Sequence, residues 1–301
     1  MIDTTANLVI SKSNEVFLKI NTEPHIEYEL RDHFKFEVPN AKFMPQYRGR
    51  NWNGEIHLYD MRSKQIYVGL LDKIVQFCDN YGYSYKFEDN KFYGTPFEEN
   101  DKISYEGVKD YMHSICSHTP RKYQVEGVYG ALKHNRKLLI SPTASGKSLM
   151  IYSLVRYYVD RGEKILLVVP TTSLVEQMYK DFLDYGWDAD SYCHRIYSGK
   201  EKSNEAPVTI TTWQSVYKLE RSFFEDYDVI IGDEAHLFKS KSLIQIMTKL
   251  HHAKYRFGFT GTLDGTQTHK WVLEGVFGPS YKVTRTDELM RQGHLSQLDI
   301  Q

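Results

Sequence analysis

The chain has 301 residues and a formal net charge of −1, and 41% of its residues are hydrophobic. This length predicts two domains, and the hydrophobic content is sufficient for each to have a hydrophobic core. The balanced charge excludes a protein that is basic over its whole surface. Any contact with nucleic acid is therefore expected to be local. Neither a signal peptide nor an apolar run of membrane-spanning length is evident, which predicts a soluble protein that does not contact membranes. Cys78, Cys116 and Cys193 are widely spaced, which favours a reducing, cytoplasmic compartment and argues against a structural zinc site.

The pattern of apolar residues in the first 95 residues predicts a small α+β domain. Its expected strands are NLVIS, EVFLKI and the segments around 43–48 and 55–59, and its expected helices run over 23–33 and 69–81. Asn53 and Gly54, between alternating residues, predict a tight hairpin turn. Residues 96–118 are interpreted as a linker with a short amphipathic helix.

From Lys137 onward the sequence predicts alternating strands and helices. The expected strands are 137–141, 164–170, 208–212, 227–233 and 255–262, and the expected helices are 148–159, 173–184 and 241–250. Apolar strands separated by helices indicate an α/β fold whose parallel sheet is covered on both faces. The ligand of such a sheet is expected at the carboxyl ends of the strands.

The run SPTASGKS, residues 141–148, joins a predicted strand to a predicted helix. Backbone N–H groups at the start of a helix converge on one point, and the helix dipole adds positive potential there, so a polyphosphate is stabilised. We expect Gly146 to let the backbone approach closely, Lys147 to reach the β and γ phosphates, and the Ser148 hydroxyl to bind Mg²⁺. Three further residues of the loop are expected to contact the nucleotide, namely Thr143, Ala144 and Ser145.

A second motif, IIGDEAHLF at 230–238, places two carboxylates at a strand end. Asp233 is expected to hold Mg²⁺, and Glu234 is placed to polarise a water molecule for attack on the γ-phosphate. His236 follows at a spacing suited to coupling this centre to a neighbouring strand. Together with Lys147, these residues are the predicted catalytic set.

The combination of TASGKS, DEAH and the TGT of residues 260–262 resembles the superfamily 2 helicases and translocases, from about Thr119 to the end of the chain. The resemblance implies a RecA-like domain over 119–301. It also implies that Arg121 and Gln124, within TPRKYQVEGV, recognise adenine, so that the nucleotide is ATP. Thr260 and Thr262 would couple the nucleotide site to the rest of the motor.

Two further segments, VVPTTSLVEQ and TITTWQSV, occupy positions where this superfamily grips a nucleic-acid backbone. The resemblance therefore implies contacts with phosphates and sugars from four residues, namely Pro170, Thr171, Thr211 and Trp213. For Trp213, packing in the core is the open alternative.

The N-terminal segment KFMPQYRGRNWNGEIHLYDMRSK, followed by GLLDKIVQFCDNYGY, resembles the UvsW-type DNA helicases of large tailed bacteriophages. Their N-terminal domain is similar in fold to a double-stranded-RNA-binding domain. The resemblance implies that Arg48, Arg50 and Trp52 grip duplex or branched DNA. In the alternative, Trp52 and Tyr59 form the core face of a hairpin while the arginines are solvated.

These features lead us to expect an ATP-dependent DNA helicase, or a translocase that remodels branched DNA, acting as a monomer in phage recombination, repair and replication in the cytoplasm of a bacterial host. Two alternatives stay open, an RNA helicase of the same superfamily and a nucleotide-switched DNA-binding module. The superfamily carries a second RecA-like domain, and the sequence as given stops in what resembles the connection to it. We therefore expect the 301 residues to be a poorly active fragment.

Overall fold

The computed structural model of the chain describes residues 6–88, 93, 102–142, 145–197, 205–237, 240–263 and 269–284. Residues 6–93 and 102–284 of this set are called here the N-terminal unit and the C-terminal unit, and each contains a main sheet. In the described ranges, no helix combines the length and the apolar character needed to cross a membrane.

The N-terminal unit is built on a four-stranded sheet with the order β5-β2-β1-β6, and a separate antiparallel pair joins β3 to β4. Its strands are β1 (Leu8–Lys12), β2 (Phe17–Thr22), β3 (Lys35–Glu37), β4 (Glu55–His57), β5 (Gln65–Tyr67) and β6 (Tyr85–Phe87). Its helices are α1 (Pro24–His33), α2 (Pro45–Arg48) and α3 (Leu71–Tyr81), with 3₁₀ turns at Ala41–Phe43 and Val68–Leu70.

The C-terminal unit contains a seven-stranded sheet with the order β13-β7-β12-β11-β8-β10-β9, in which every pairing is parallel. Its strands are β7 (Arg136–Ile140), β8 (Ile165–Val169), β9 (Cys193–Ile196), β10 (Val208–Thr212), β11 (Val229–Gly232), β12 (Tyr255–Thr260) and β13 (Ser280–Lys282). Its helices are α4 (Tyr105–Ile115), α5 (Lys122–His134), α6 (Lys147–Val159), α7 (Thr172–Asp184), α8 (Ala189–Tyr192), α9 (Trp213–Val216), α10 (Ser240–Met247) and α11 (Lys270–Phe277). Short 3₁₀ turns lie at Arg221–Phe224 and Ala235–Leu237.

Both faces of the seven-stranded sheet are buried. Successive strand residues such as Leu138 and Leu139 belong to different hydrophobic clusters, one shared with α4–α8 and the other with α9–α11. Burial on both faces explains why the strand sequences are continuous runs of apolar residues. Since all the strands are parallel, the carboxyl ends of β7, β12, β11 and β8 lie side by side at one edge, where the ligand of such a sheet binds.

The predicted α/β class and small N-terminal α+β unit are confirmed, and the predicted elements of the C-terminal unit lie within a few residues of their observed bounds. The strand predicted over 43–48 is wrong, because Pro45 opens the short helix α2 there. The tight hairpin at Asn53-Gly54 is also wrong. β3 and β4 do pair, but the connection between them runs over 38–54, and only Gly54 of the two turn residues has a positive φ, +88°.

The two units are joined by a buried ion pair and by helix α11. The Arg136 guanidinium, at the start of β7, pairs with the Glu15 carboxylate and donates to the Glu15 carbonyl oxygen at 2.8 Å. Val272 of α11 belongs to the hydrophobic cluster of the N-terminal unit. The backbones of the two units are also in close contact, because a Cβ atom added to Gly69 would lie 2.0 Å from the Glu274 carbonyl oxygen. The N-terminal unit is therefore packed directly against the end of the large sheet.

Candidate nucleotide and nucleic-acid sites

The predicted phosphate loop connects β7 to α6, at the edge where the strand ends meet. Gly146 has a φ of +76°, and a Cβ there would lie 2.4 Å from the Gln124 side-chain nitrogen, so only glycine fits. Ser145 is buried, and its hydroxyl is within hydrogen-bonding distance of the Ser141 hydroxyl at 2.6 Å. Thr143 and Ala144 lie outside the described residues. The loop thus presents the N-terminus of a 13-residue helix to a ligand.

Gln124 holds this loop from the neighbouring helix α5. Its side-chain nitrogen donates to the carbonyl oxygens of Ser145, at 3.0 Å, and Gly146, at 3.3 Å, while its oxygen accepts from the Arg121 backbone at 2.8 Å. The side chain is only 4% exposed. Its two N–H donors are therefore already engaged within the chain, and the bidentate contact with adenine expected of Gln124 is not available in this conformation.

Arg121 reaches the loop through a residue that the sequence did not single out. Its guanidinium donates to the Tyr123 hydroxyl at 2.7 Å, and that hydroxyl donates to the Ser145 carbonyl oxygen at 2.9 Å. The phosphate loop is therefore held by hydrogen bonds from Tyr123 and Gln124. The Arg121 guanidinium lies next to the loop through its contact with Tyr123.

Asp233 and Glu234 follow β11 directly and face the loop. Lys147 pairs with the Glu234 carboxylate, so the two predicted catalytic groups are in contact. Glu234 has a φ of +46°, a left-handed conformation that is uncommon for a non-glycine residue. Burial raises the pKa of Asp233 from its ordinary 3.8 to about 6; the charge of Lys147 opposes this shift and the charge of Glu234 adds to it.

His236 and Thr260 link the strand end of β11 to that of β12. Nδ1 of His236 lies 2.9 Å from the Thr260 hydroxyl and 3.4 Å from the Glu234 carboxylate. The Thr260 hydroxyl donates to the Thr262 carbonyl oxygen at 2.7 Å. A continuous chain of contacts thus runs from Lys147 through Glu234 and His236 to the two threonines.

Ser148 lies in the first turn of α6, next to Lys147, and its hydroxyl is 2.8 Å from the hydroxyl of Tyr185. No local sequence pattern points to Tyr185, because it follows the end of α7 and meets Ser148 only through the packing of α7 on α6.

The donors that the chain offers fit a magnesium ion bound together with a nucleotide. Mg²⁺ is usually held in nucleotide sites by one or two protein oxygens, with phosphates and water completing the octahedron. Asp233 is a buried carboxylate whose charged form a cation would stabilise, and Ser148 offers a hydroxyl on the adjoining helix. Among the described residues no group of three acidic, histidine or cysteine side chains could hold a metal without such help.

The four residues expected to contact a nucleic-acid backbone differ in how exposed they are. Thr171 is exposed and caps α7, accepting from the Leu174 N–H at 3.3 Å, whereas Pro170 is buried. Thr211 is 0% exposed, and its hydroxyl donates to the Ile196 carbonyl oxygen at 2.7 Å, so that hydroxyl does not face a surface. Trp213 is half-buried and packs against the hydrophobic cluster under α9–α11.

The basic segment of the N-terminal unit forms a surface depression. Arg48 and Arg50 are exposed, and Trp52 is half-buried with its indole N–H donating to the Glu55 carbonyl oxygen at 2.7 Å. The depression has a volume of about 760 Å³ and is lined by Lys42, Tyr47, Arg48, Arg50, Asn51, Trp52 and Asn53. Tyr59, by contrast, is 1% exposed and belongs to the core.

Two family models match the chain. The model described as "DNA helicase UvsW, N-terminal" matches residues 11–88, and the model described as "Type III restriction enzyme, res subunit" matches residues 117–265. The first covers the segment with the basic depression, and the second covers the phosphate loop and the Asp233–Glu234 strand end.

Several characterised proteins are similar over most or part of the chain. The ATP-dependent DNA helicase uvsW of Enterobacteria phage T4 is 33% identical over 94% of this chain and 57% of that protein. A DNA 3'-5' translocase, XPB2, of Sulfurisphaera tokodaii is 31% identical over 55% of this chain and 35% of that protein. The chain thus spans about half the length, or less, of these relatives.

A crystal structure of the UvsW helicase from bacteriophage T4 superposes with a TM-score of 0.81 at 32% identity, covering 92% of this chain and 99% of that one. Another structure of T4 UvsW gives a TM-score of 0.84 at 31% identity, covering 94% of this chain and 58% of that one. The parallel sheet, with its phosphate loop at the strand ends, is a RecA-like domain of the helicase class. More particularly, the chain belongs to the UvsW family of DNA helicases.

Proposed function

We propose that the chain binds ATP with Mg²⁺, hydrolyses it, and couples hydrolysis to the unwinding or remodelling of branched DNA in phage recombination, repair and replication. The observation that carries the proposal is the chain of contacts from Lys147 through Glu234 and His236 to Thr260. It joins the lysine of the phosphate loop to the end of a neighbouring strand, so a change at the phosphates can be transmitted across the sheet.

The ion pair between Lys147 and Glu234 supports a specific order of events. The phosphates of the nucleotide compete with the Glu234 carboxylate for the Lys147 ammonium group. When Lys147 turns to the phosphates, Glu234 is released and can accept a proton from the attacking water. Mg²⁺, when bound, would neutralise charge on the phosphate oxygens, and Asp233 and Ser148 would hold it.

The proposed DNA contacts begin at the basic depression. Arg48 and Arg50 are exposed there and can neutralise phosphates, and the half-buried Trp52 lines the same depression, where its ring would stack on an unpaired base. On the C-terminal unit, the exposed residue Thr171 and the backbone beside Pro170 would meet a strand. The Gln214 side chain donates to the Pro170 carbonyl oxygen at 3.2 Å and so ties the two strand-end loops together.

We also propose the division of the chain into 1–95, 96–118 and 119–301. Tyr93 supports the first boundary, because it is buried with the N-terminal core. Within the middle segment, Val108 and Met112 of α4 belong to the cluster of the C-terminal unit, so this helix packs with the RecA-like domain.

The test compares nucleotide binding and ATP turnover in Lys147→Ala and Glu234→Gln, with single-stranded DNA, a Holliday junction or RNA added. Lys147→Ala removes the charge that meets the phosphates and is expected to abolish binding, whereas Glu234→Gln keeps binding and lowers turnover by orders of magnitude. The exposed residues Lys180 and Glu225 provide the matched controls Lys180→Ala and Glu225→Gln. Unimpaired turnover in Lys147→Ala would exclude the proposed site, and greater stimulation by RNA than by DNA would favour an RNA helicase.

A further inference from the structure

The Ser148 hydroxyl has a close partner at the end of α7. The hydroxyl of Tyr185, the residue that follows this helix, lies 2.8 Å away. The Tyr185 ring is held by edge contacts, with centroids 5.5 Å from that of His118 and 5.0 Å from that of Tyr152. Tyr185 therefore has little freedom to move away from Ser148.

The Ser148 and Tyr185 hydroxyls each carry a proton, and either can donate to the other. A serine hydroxyl has one proton and two lone pairs. Whichever hydroxyl donates, the contact with Tyr185 fixes the direction of the serine hydroxyl and leaves at least one of its lone pairs for a ligand.

We infer that Tyr185 is a positioning residue that orients the Ser148 hydroxyl as a ligand for the nucleotide-bound divalent cation. This inference rests on the proposed function, because it takes Ser148 as a cation ligand. Hydrogen-bonding partners of a metal ligand fix its orientation, and their loss typically weakens metal affinity by about 10-fold to 100-fold. Without Tyr185, the hydroxyl could rotate and turn its proton towards the cation.

The test measures binding of a fluorescent ADP derivative during titration with Mg²⁺ in Tyr185→Phe. The substitution keeps the ring and its contacts with His118 and Tyr152 and removes only the hydroxyl. We expect the Mg²⁺ concentration for half-maximal enhancement of binding to rise about tenfold, with affinity in EDTA unchanged. The matched control is Tyr192→Phe, at an exposed tyrosine that stacks on Trp187 with a centroid distance of 5.2 Å.

A double-mutant cycle separates positioning from a general effect on the fold. In a Ser148→Ala background, Tyr185→Phe is expected to cause no further change in Mg²⁺ dependence, because its effect passes through the serine hydroxyl. An unchanged Mg²⁺ midpoint in Tyr185→Phe, or equal weakening with Mg²⁺ and with EDTA, would overturn the inference while leaving the proposed function intact. Failure of the wild-type chain to bind the nucleotide would instead count against the proposed function itself.

Discussion

The hydroxyl of Thr260 accepts a hydrogen bond from Nδ1 of His236 at 2.9 Å, which ties the turn after β11 to the end of β12. The direction follows from Thr260, whose single proton goes to the Thr262 carbonyl oxygen at 2.7 Å. Burial lowers the pKa of His236; the charge of Glu234 opposes the shift, and the charge of Lys147 adds to it. A neutral imidazole with its proton on Nδ1 is therefore the form that completes this link at neutral pH.

Replacing His236 should break the coupling without removing the nucleotide site. For His236→Ala we expect nucleotide affinity close to wild type in the absence of DNA, whereas the factor by which DNA changes that affinity should fall about tenfold. The measurement is nucleotide binding with and without single-stranded DNA, and His252→Ala, at an exposed histidine, is the control. An unchanged factor would show that the signal does not pass through His236.

The raised pKa of Asp233 predicts the pH dependence of Mg²⁺-assisted binding. Because its pKa is about 6, the carboxylate is charged above that pH and becomes neutral below it, so its attraction for a cation is lost as the pH falls. We expect the Mg²⁺ affinity of the nucleotide complex to be level above about pH 7 and to fall about tenfold per unit below pH 6. Titration at several pH values checks this expectation. Asp233→Asn should bind Mg²⁺ weakly at every pH, and a persistent acid limb in that variant would assign the effect to another group.

The basic depression predicts a change in the salt dependence of DNA binding. Replacing both Arg48 and Arg50 by alanine should weaken binding to branched DNA and reduce the slope of log affinity against log salt by up to about 2, since each lost phosphate contact releases about one counterion fewer. Binding measured over a range of salt concentrations gives the slope, with Arg221→Ala as an exposed control in the C-terminal unit. A slope equal to that of the wild type would mean that these arginines remain solvated in the complex.

Glu15 should contribute strongly to stability because it is the partner of a fully buried guanidinium. Arg136 is 2% exposed, and Arg256, on the neighbouring strand in register with it, is 0% exposed. For Glu15→Gln, chemical denaturation is expected to show a loss of about 3 kcal/mol, because a buried charge loses its counter-charge. Glu106→Gln, at an exposed glutamate, should change little. A loss below about 1 kcal/mol would contradict the assigned role of the pair.

The ion pair between Glu15 and Arg136 also predicts how the free energy of unfolding depends on pH. Burial by itself would raise the pKa of Glu15, but the charges of Arg136 and Lys12 outweigh it, so the pKa is lowered. The stabilisation is therefore present above the pKa of the unfolded chain and is lost as the pH falls through the lower pKa of the folded state. This pH-dependent part of the free energy of unfolding should be absent from Glu15→Gln.

The sequence predicted the parallel sheet because each of its central strands is an apolar run that packs on both faces. It also predicted the turn from β7 into α6, because the positive φ of Gly146 depends on local backbone geometry. It failed where long-range packing decides. Thr211 looks like a surface threonine, yet β10 lies between β8 and β9, and backbone carbonyls satisfy its hydroxyl. Tyr185 meets Ser148 through the packing of two helices, and no spacing in the sequence reveals that contact.

The position of Val272 and Trp271 in the core of the N-terminal unit has a consequence for biosynthesis. Val272 is 2% exposed there, and the Trp271 ring stacks on that of His33 with a centroid distance of 6.2 Å. A ribosome makes the chain from the N-terminus, so β1 to β6 emerge long before the helix that covers them. The apolar surface that α11 will cover stays open while the whole intervening sequence is translated. Nascent chains halted before α11 should therefore expose this surface to chaperones, and chains halted after it should not.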